Sequence, residues 1–430
     1  MTMTDRRTPP PVKPFEFRAL PPEEVTQLDN GMTVHLYNGG DQPVSSMSLL
    51  FPGGTCDCAN PVVPQLFAAL AAEGSRHYSG EQIADILDFN GTRFNGKCHQ
   101  HYTGFEMITL NGRVDAVLPM ISDIVCCQTF DERAVENARL QMKSRLLTDM
   151  AKVSYLADKG LSEILCGKNH PAAFSPTPAG IDATDGSELS EFHKRHNSTQ
   201  GAHAFIAGKL DDSLRAHYLD FLENLRLDGA GIVQDFRAFT PESVTEVTEN
   251  LSGSLQSAIA MGIPTIERTH PDYIPLRLTV MALGGYFGSR LMANIREEKG
   301  YTYGIYAYLA GSREGSSIHI SAQCDNRYTR AVTDEIYAEV RRMRDNPPQG
   351  QELERLKFHA ASSLAEVLDS PLSIMNYHST ALIVDMPDGY FEAQQRAIAS
   401  LTPDIIAEMT GRYLMGETMR SVIVGDISKM

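Results

Sequence analysis

The most specific chemistry in this chain sits in residues 289–306, which read SRLMANIREEKGYTYGIY. The pattern predicts a helix over 289–298 that closes at Gly300, a residue suited to the left-handed turn just past a helix C-terminus. A strand should follow, with Tyr301, Tyr303 and Ile305 on one face and Thr302, Gly304 and Tyr306 on the other. Arg296 in the last helical turn and Tyr303 in the strand then converge as a guanidinium fork beside a phenol. Such a pair suits gripping a peptide carbonyl or an oxyanion. The same two residues also allow a purely structural reading, in which Arg296 caps the helix and Tyr303 packs in a core.

Other candidate groups are weaker. His99-x-His101 reads as two imidazoles on one face of a strand, a spacing that metals use. His193-x-x-His196 lies on a helix at near-facing spacing. Neither pair has a carboxylate base beside it in the sequence, and surface or half-buried histidines are the commoner reading. Cys56-x-Cys58 has no second pair to complete a zinc knuckle, and Cys126 and Cys127 fall on what reads as a buried helix. Seven cysteines, an odd number, argue for reduced thiols over a disulfide framework. There is no Ser-His-Asp context, no nucleophile elbow and no phosphate-binding loop. Gly284-Gly285-x-x-Gly288 resembles a fragment of such a loop, but it opens onto a helix without a buried parallel strand before it.

These residues need a scaffold, and 430 residues suggest two or more domains. Hydrophobic residues at 42% and charged ones at 21% are ordinary for a globular protein. No apolar run approaches the ~20 residues of a membrane span. The N-terminus, MTMTDRRTPPPVKPFEF, has neither the apolar core of a secretory signal nor the look of a transit peptide, so a cytoplasmic location is expected. A net charge of −16 disfavours nucleic acid and anionic membrane as partners, since both require a basic patch.

Residues 1–15, Pro-rich and polar, read as an extended arm. Thereafter come two short strands joined at Asn30-Gly31, a strand over 45–51 and helices over 64–73 and 79–89, the second capped by Ser79. A hairpin follows, through Phe94 and then 104–111, and two long helices over 114–128 and 131–150. The second half repeats the order: a strand over 254–262, helices over 270–284 and 288–298, a hairpin over 301–310 and 317–323, and long helices over 327–345 and 351–368. Self-similarity over roughly 200 residues points to an α+β protein of two homologous, duplicated domains, each an antiparallel sheet backed by helices on one face. The expected division is 16–225 and 246–430, joined by a linker at 226–245 where Asp228-Gly-Ala-Gly and Pro241 interrupt periodicity.

Gly284-Gly285-x-x-Gly288-Ser289-Arg290-Leu291, followed by Arg296-Glu297-Glu298-Lys299-Gly300-x-x-Tyr303, resembles the C-terminal half of the pitrilysin/insulinase-type zinc peptidases. The segments 188–211 and 421–425 resemble the strands and helix that close that family's two domains, so the likeness runs from about Pro21 to the C-terminus. It implies that Arg296 and Tyr303 bind substrate backbone beside a metal. Active members hold zinc with His-x-x-Glu-His on the first domain's first helix and a later Glu. Registered on Gly74-Ser75, the histidine positions fall on Gln65 and Ala69, the base on Ala68 and the distal glutamate on Arg145, with a further acidic position on Ala138. None can serve: alanine has no donor atom, an amide is a poor zinc ligand, and Arg145 would set a positive charge where the dication belongs. No histidine lies between His35 and His77, so a one-turn shift does not rescue the motif. Leu66, Phe67 and Leu70 still give that helix an apolar face. Arg145 is expected near the vacated site, buried among carboxylates or carbonyls.

The segment from Gly91 to Cys98 resembles the family's edge strand, which pairs with an extended peptide; Phe94 and Asn95 would lie nearest that peptide. The resemblance therefore implies a chain that binds no cofactor or metal itself and pairs with a homologous zinc-bearing subunit, supplying Arg296 and Tyr303 to a peptide substrate in trans. A metal-free scaffold, or a homodimer that binds peptides without cutting them, are the alternatives.

Overall fold

The computed structural model describes residues 16–234, 236–414 and 419–430; the arm expected at 1–15 lies outside them. In the first half, strands β1 (Glu24–Gln27), β2 (Thr33–Asn38) and β3 (Val44–Pro52) lead to helices α1 (Val62–Ala69) and α2 (Gly80–Asn90). The hairpin β4 (Arg93–Cys98) and β5 (Tyr102–Leu110) is followed by α3 (Val114–Cys127), α4 (Glu132–Met150) and α5 (Val153–Cys166). The half closes with α6 (Pro178–Ala183), α7 (Gly186–His196), β6 (His203–Gly208) and α8 (Asp212–Glu223).

The second half runs through β7 (Glu246–Asn250), β8 (Gln256–Thr265), α9 (Tyr273–Gly284), a π-helix at Met292–Glu298, and the hairpin β9 (Thr302–Gly311) and β10 (Ser316–Asp325). Helices α10 (Thr329–Asp345), α11 (Gln351–Ala365), α12 (Pro371–Ile383), α13 (Tyr390–Ser400) and α14 (Pro403–Met409) precede the last strand, β11 (Arg420–Gly425).

Local chemistry starts these elements where the sequence predicts. Ser79 accepts a hydrogen bond from the Gln82 N–H while the Gln82 side chain accepts from the Ser79 N–H, a reciprocal cap on α2. Asp131 accepts from two backbone N–H groups at the start of α4.

The first sheet has the order β1-β2-β6-β3-β5-β4 and the second β7-β11-β8-β10-β9. The expected α+β pair of sheets is thus present. Each is mostly antiparallel but contains one parallel pairing, β2 with β6 and β7 with β11. One face of each sheet carries its own half's large core, around Phe51, Phe67 and Phe105 in the first and Ile259, Leu276 and Ile305 in the second.

The other face is covered by exchange. From α5, Ala157, Leu161, Ile164 and Leu165 pack on Ala258, Ala260, Val422 and Val424 of the second sheet. In return, Met375 of α12 packs with Leu50, Phe205 and Ala207 of the first sheet. Burying each of Leu161, Ile164 and Leu165 contributes about 1.5–3 kcal/mol, so the two halves hold one another firmly. Among the described residues no helix is long and apolar enough to cross a membrane.

Strands β4 and β9 occupy equivalent sheet edges. At β4, Gly96 lies directly under α1: a Cβ there would stand 2.0 Å from the Ala68 carbonyl oxygen. Gly96→Ala must push strand and helix apart. We expect a loss of about 1–3 kcal/mol, read as a lower melting temperature; an unchanged value would mean that the α1–β4 contact is slack.

Candidate functional site

Arg296 lies on the π-helix, where an α-helix was expected. The wider turn appears in the backbone as the bond from the Lys299 N–H to the Asn294 carbonyl, 3.0 Å; π-turns inside helices are often found at functional sites. Gly300 then takes φ +64°, the left-handed stop expected of it. Strand β9 departs from simple alternation. Thr302 pairs with Cys324 and Ile305 with Ala322, so β9 carries one extra residue. The bulge turns Thr302 and Ile305 both inward, and Tyr303 and Tyr306 both outward, which corrects the expectation that Tyr303 and Ile305 share a face. The Thr302 hydroxyl accepts from the Gly304 N–H at 3.1 Å and steadies the bulge.

Tyr303 is 88% exposed. The Arg296 guanidinium stands 5.4 Å from its ring centre and 4.9 Å from that of Phe287, so it is stacked between two aromatic faces. Arg296 and Tyr303 do converge, by stacking: the planar guanidinium keeps edge N–H groups for another partner, and the phenol hydroxyl stays outside the core. Glu297 is the guanidinium's carboxylate neighbour, 3.4 Å away. Beside this pair a cleft of about 420 Å³ runs between α5 and the second sheet, with Ser154, Asp158, Gln256, Tyr306 and Gln323 among its lining.

Helix α1 spans Val62–Ala69. Leu66 and Phe67 are fully buried, and Ala68 is buried too; Gln65 is half-buried and Ala69 exposed. No residue of this helix is His, Cys, Asp or Glu, so its donor set does not fit zinc. Arg145 overturns its expectation: it is exposed on α4 and makes no ion pair with the described residues. Its apolar neighbour Leu146 takes the inward position on that turn, and a guanidinium that reaches water has no need of buried partners. Ala138 packs at the margin of the first core.

At the β4 edge, Asn95 is exposed and the outer backbone edge of the strand has no strand neighbour among the described residues. Phe94 must be reassigned. It points into the core and stacks on Phe105, ring centres 5.7 Å apart, because strand alternation gives neighbouring residues opposite faces. It cannot line a peptide on the solvent side.

The histidine pairs divide. His196 is fully buried among Phe51, Phe67 and Phe192, neither ring nitrogen has a partner among the described residues, and burial pushes its pKa down to about 3. His193 bonds the Val125 carbonyl. Both act in packing. His99 and His101 lie in the β4–β5 turn and not along a strand. His101 is buried and meets two carboxylates, Asp57 at Nδ1 (3.3 Å) and Glu314 at Nε2. Burial alone would push this imidazole down, but hydrogen bonds to Asp57 and Glu314 hold it up at about 9. The sequence spacing singled out His101 but could not find its carboxylates, which lie 44 and 213 residues away.

Comparison with known proteins agrees with this architecture. The family model described as insulinase (peptidase family M16) matches residues 63–167, and the one described as peptidase M16 inactive domain matches 185–359. The chain is 21% identical over 306 residues to a Bacillus subtilis protein named uncharacterized zinc protease YmxG, covering 71% of this chain and 74% of that one. It is 22% identical over 271 residues to the Helicobacter pylori protein named non-peptidase homolog YmxG, covering 61% and 62%. The crystal structure of a peptidase M16 inactive domain from Pseudomonas fluorescens superimposes with a TM-score of 0.85 at 21% identity, over 94% of this chain and 98% of that one.

Proposed function

The chain belongs to the insulinase-type peptidase family, M16, and from that premise we propose that it is the non-catalytic subunit of a heterodimeric zinc metallopeptidase. In this reading the family's zinc motif has been lost at Gln65, Ala68, Ala69 and Arg145, and the metal belongs to a homologous partner subunit. The peptide lies extended along the β4 edge, held by main-chain hydrogen bonds with Asn95 beside it. Arg296 and Tyr303 donate hydrogen bonds to the carbonyl oxygen that gains negative charge when the peptide is attacked. The observation that carries the reading is the exposure of Tyr303 beneath Arg296. A pair kept only for packing would be buried, whereas this one presents its donors outward at a sheet edge.

The name non-peptidase homolog, given to the Helicobacter pylori relative, agrees with a chain that cuts nothing alone. It serves equally the second reading, a scaffold or a peptide-binding homodimer. We place the complex in the cytoplasm, in keeping with seven cysteines that are all free thiols.

Co-expression with zinc-bearing homologues, followed by a peptidase assay, tests the proposal. The isolated chain should hydrolyse no peptide, and the purified heterodimer should hydrolyse it in a chelator-sensitive way. Chelator-sensitive hydrolysis by the isolated chain would overturn the non-catalytic assignment. Stable complexes without hydrolysis would favour the scaffold.

A further inference from the structure

Where the two halves meet, three segments bring a cysteine, a histidine and two carboxylates into one enclosed place. The first is the turn after β3, which is laced to the β4–β5 turn by the backbone. The Gly53 N–H donates to the His101 carbonyl (2.8 Å), Thr55 N–H to His99 (3.1 Å) and Cys56 N–H to Gln100 (2.8 Å). Gly54 permits this approach, since a Cβ there would stand 2.2 Å from the His99 carbonyl oxygen. The third segment is the tip of the β9–β10 hairpin in the second half, which delivers Glu314; its carbonyl accepts from the Phe239 N–H of the connecting segment at 3.0 Å. Phe236 of that same segment stands edge-on to the His101 ring, 4.6 Å between centres.

We propose that Cys56, His101 and Glu314 form a binding site for a divalent cation of the zinc class, one that ties the first half of the chain to the second. The donor atoms Sγ of Cys56, a ring nitrogen of His101 and a carboxylate oxygen of Glu314 all lie within 4.8 Å of one another. A tetrahedral zinc with bonds of about 2.0–2.3 Å sets its donors roughly 3.3–3.8 Å apart, so small side-chain rotations suffice. The mixed sulfur, nitrogen and oxygen set suits zinc and disfavours magnesium or calcium, which take oxygen ligands.

Two further features point to a ligand. The Glu314 side chain is 1% exposed, yet its Oε2 is buried with no hydrogen-bond partner among the described residues; the neighbouring Ser312 hydroxyl is directed at the Gly315 carbonyl. Asp57, 3% exposed, lies against His101 Nδ1. That leaves Nε2 aimed at Glu314, the carboxylate–histidine arrangement that orients metal-bound imidazoles. Metal entry displaces the protons on the thiol and the imidazole into solvent, and water fills the fourth position. The site is separate from the α1 positions and does not depend on a partner subunit. It departs from the sequence expectation that this chain holds no metal.

The test uses the full-length protein, stripped with chelator and titrated first with Co(II) and then with Zn(II). We expect one equivalent of Co(II) per chain, a thiolate-to-cobalt charge-transfer band, displacement of cobalt by zinc, and a higher melting temperature with zinc bound. Cys56→Ser should abolish the charge-transfer band. Glu314→Gln, close to isosteric, should weaken uptake by at least ~10-fold. Cys127→Ser on α3 should leave both unchanged, with circular dichroism verifying the fold of each variant. Absence of stoichiometric uptake by the wild type, or a thiolate band that survives in folded Cys56→Ser, would overturn the site.

Discussion

In the proposed heterodimer with a zinc-bearing homologue, Tyr303→Phe is expected to lower kcat on a peptide substrate by roughly 10²–10³-fold, the usual cost of removing one donor aimed at a developing oxyanion. The substitution is clean because it deletes only the hydroxyl. The ring stays beside Arg296, and a side chain 88% exposed carries little of the fold, so stability should change by no more than about 0.5 kcal/mol. An interaction that strengthens as charge builds on the carbonyl oxygen lowers the barrier without tightening the ground state, so KM should move little. Arg296→Ala is a larger change. It removes the fork and also the stack between Phe287 and Tyr303, and both kcat and KM should suffer. Assembly is measured independently by size-exclusion chromatography. Unchanged turnover in both variants, with assembly intact, would sink the subunit reading and leave the scaffold.

Phe67→Ala should cost about 3–5 kcal/mol, the range for deleting a buried aromatic ring from a packed core. Phe67 is fully buried on α1 and its ring meets those of Phe105, Phe130 and Phe192 at 5.2–6.1 Å. The surrounding sheet and helices cannot collapse far into the space it leaves. By contrast Gln65→Ala and Ala69→Ser, on the other side of the same helix, should change stability by less than about 0.5 kcal/mol. The comparison, made by thermal or urea unfolding, asks what holds α1 in this chain. If the helix persists for its inward face alone, only Phe67 matters. A loss of more than about 2 kcal/mol at Gln65 would instead reveal a polar role for that side chain.

Both predictions draw on features that were legible at different depths. The caps at Ser79 and Asp131 and the stop at Gly300 were readable because capping is local: a side chain bonds a backbone group three residues away, or a glycine takes a φ that others avoid. The repeat of strand, helices, hairpin and long helices was readable because periodicity reports which face of each element is buried. The pairing of Arg296 with Tyr303 was also within reach, since seven residues and one turn separate them. Phe94 was misjudged because likeness to an edge strand identifies the strand, while the side-chain face depends on pairing register. The β9 bulge was hidden for the same reason: an inserted residue exists only relative to the partner strand.

What the sequence determined by itself was therefore carried by neighbours along the chain: the elements the two halves share, the caps at Ser79 and Asp131, the stop at Gly300, the duplicated order and the closeness of Arg296 to Tyr303. What only the tertiary structure decided was whatever depends on residues far apart. Helices α5 and α12 cross to cover one another's sheets, and nothing in their own amphipathic pattern names the surface they choose. Arg145 turned to water because α4 had Leu146 to bury instead. His101 acquired Asp57 and Glu314 because two hairpins and the turn after β3 meet at the seam between the halves. Apolar burial is non-directional and local pattern is enough to demand it. The meeting of three polar groups from distant segments is a matter of geometry, which exists only once the chain has closed on itself.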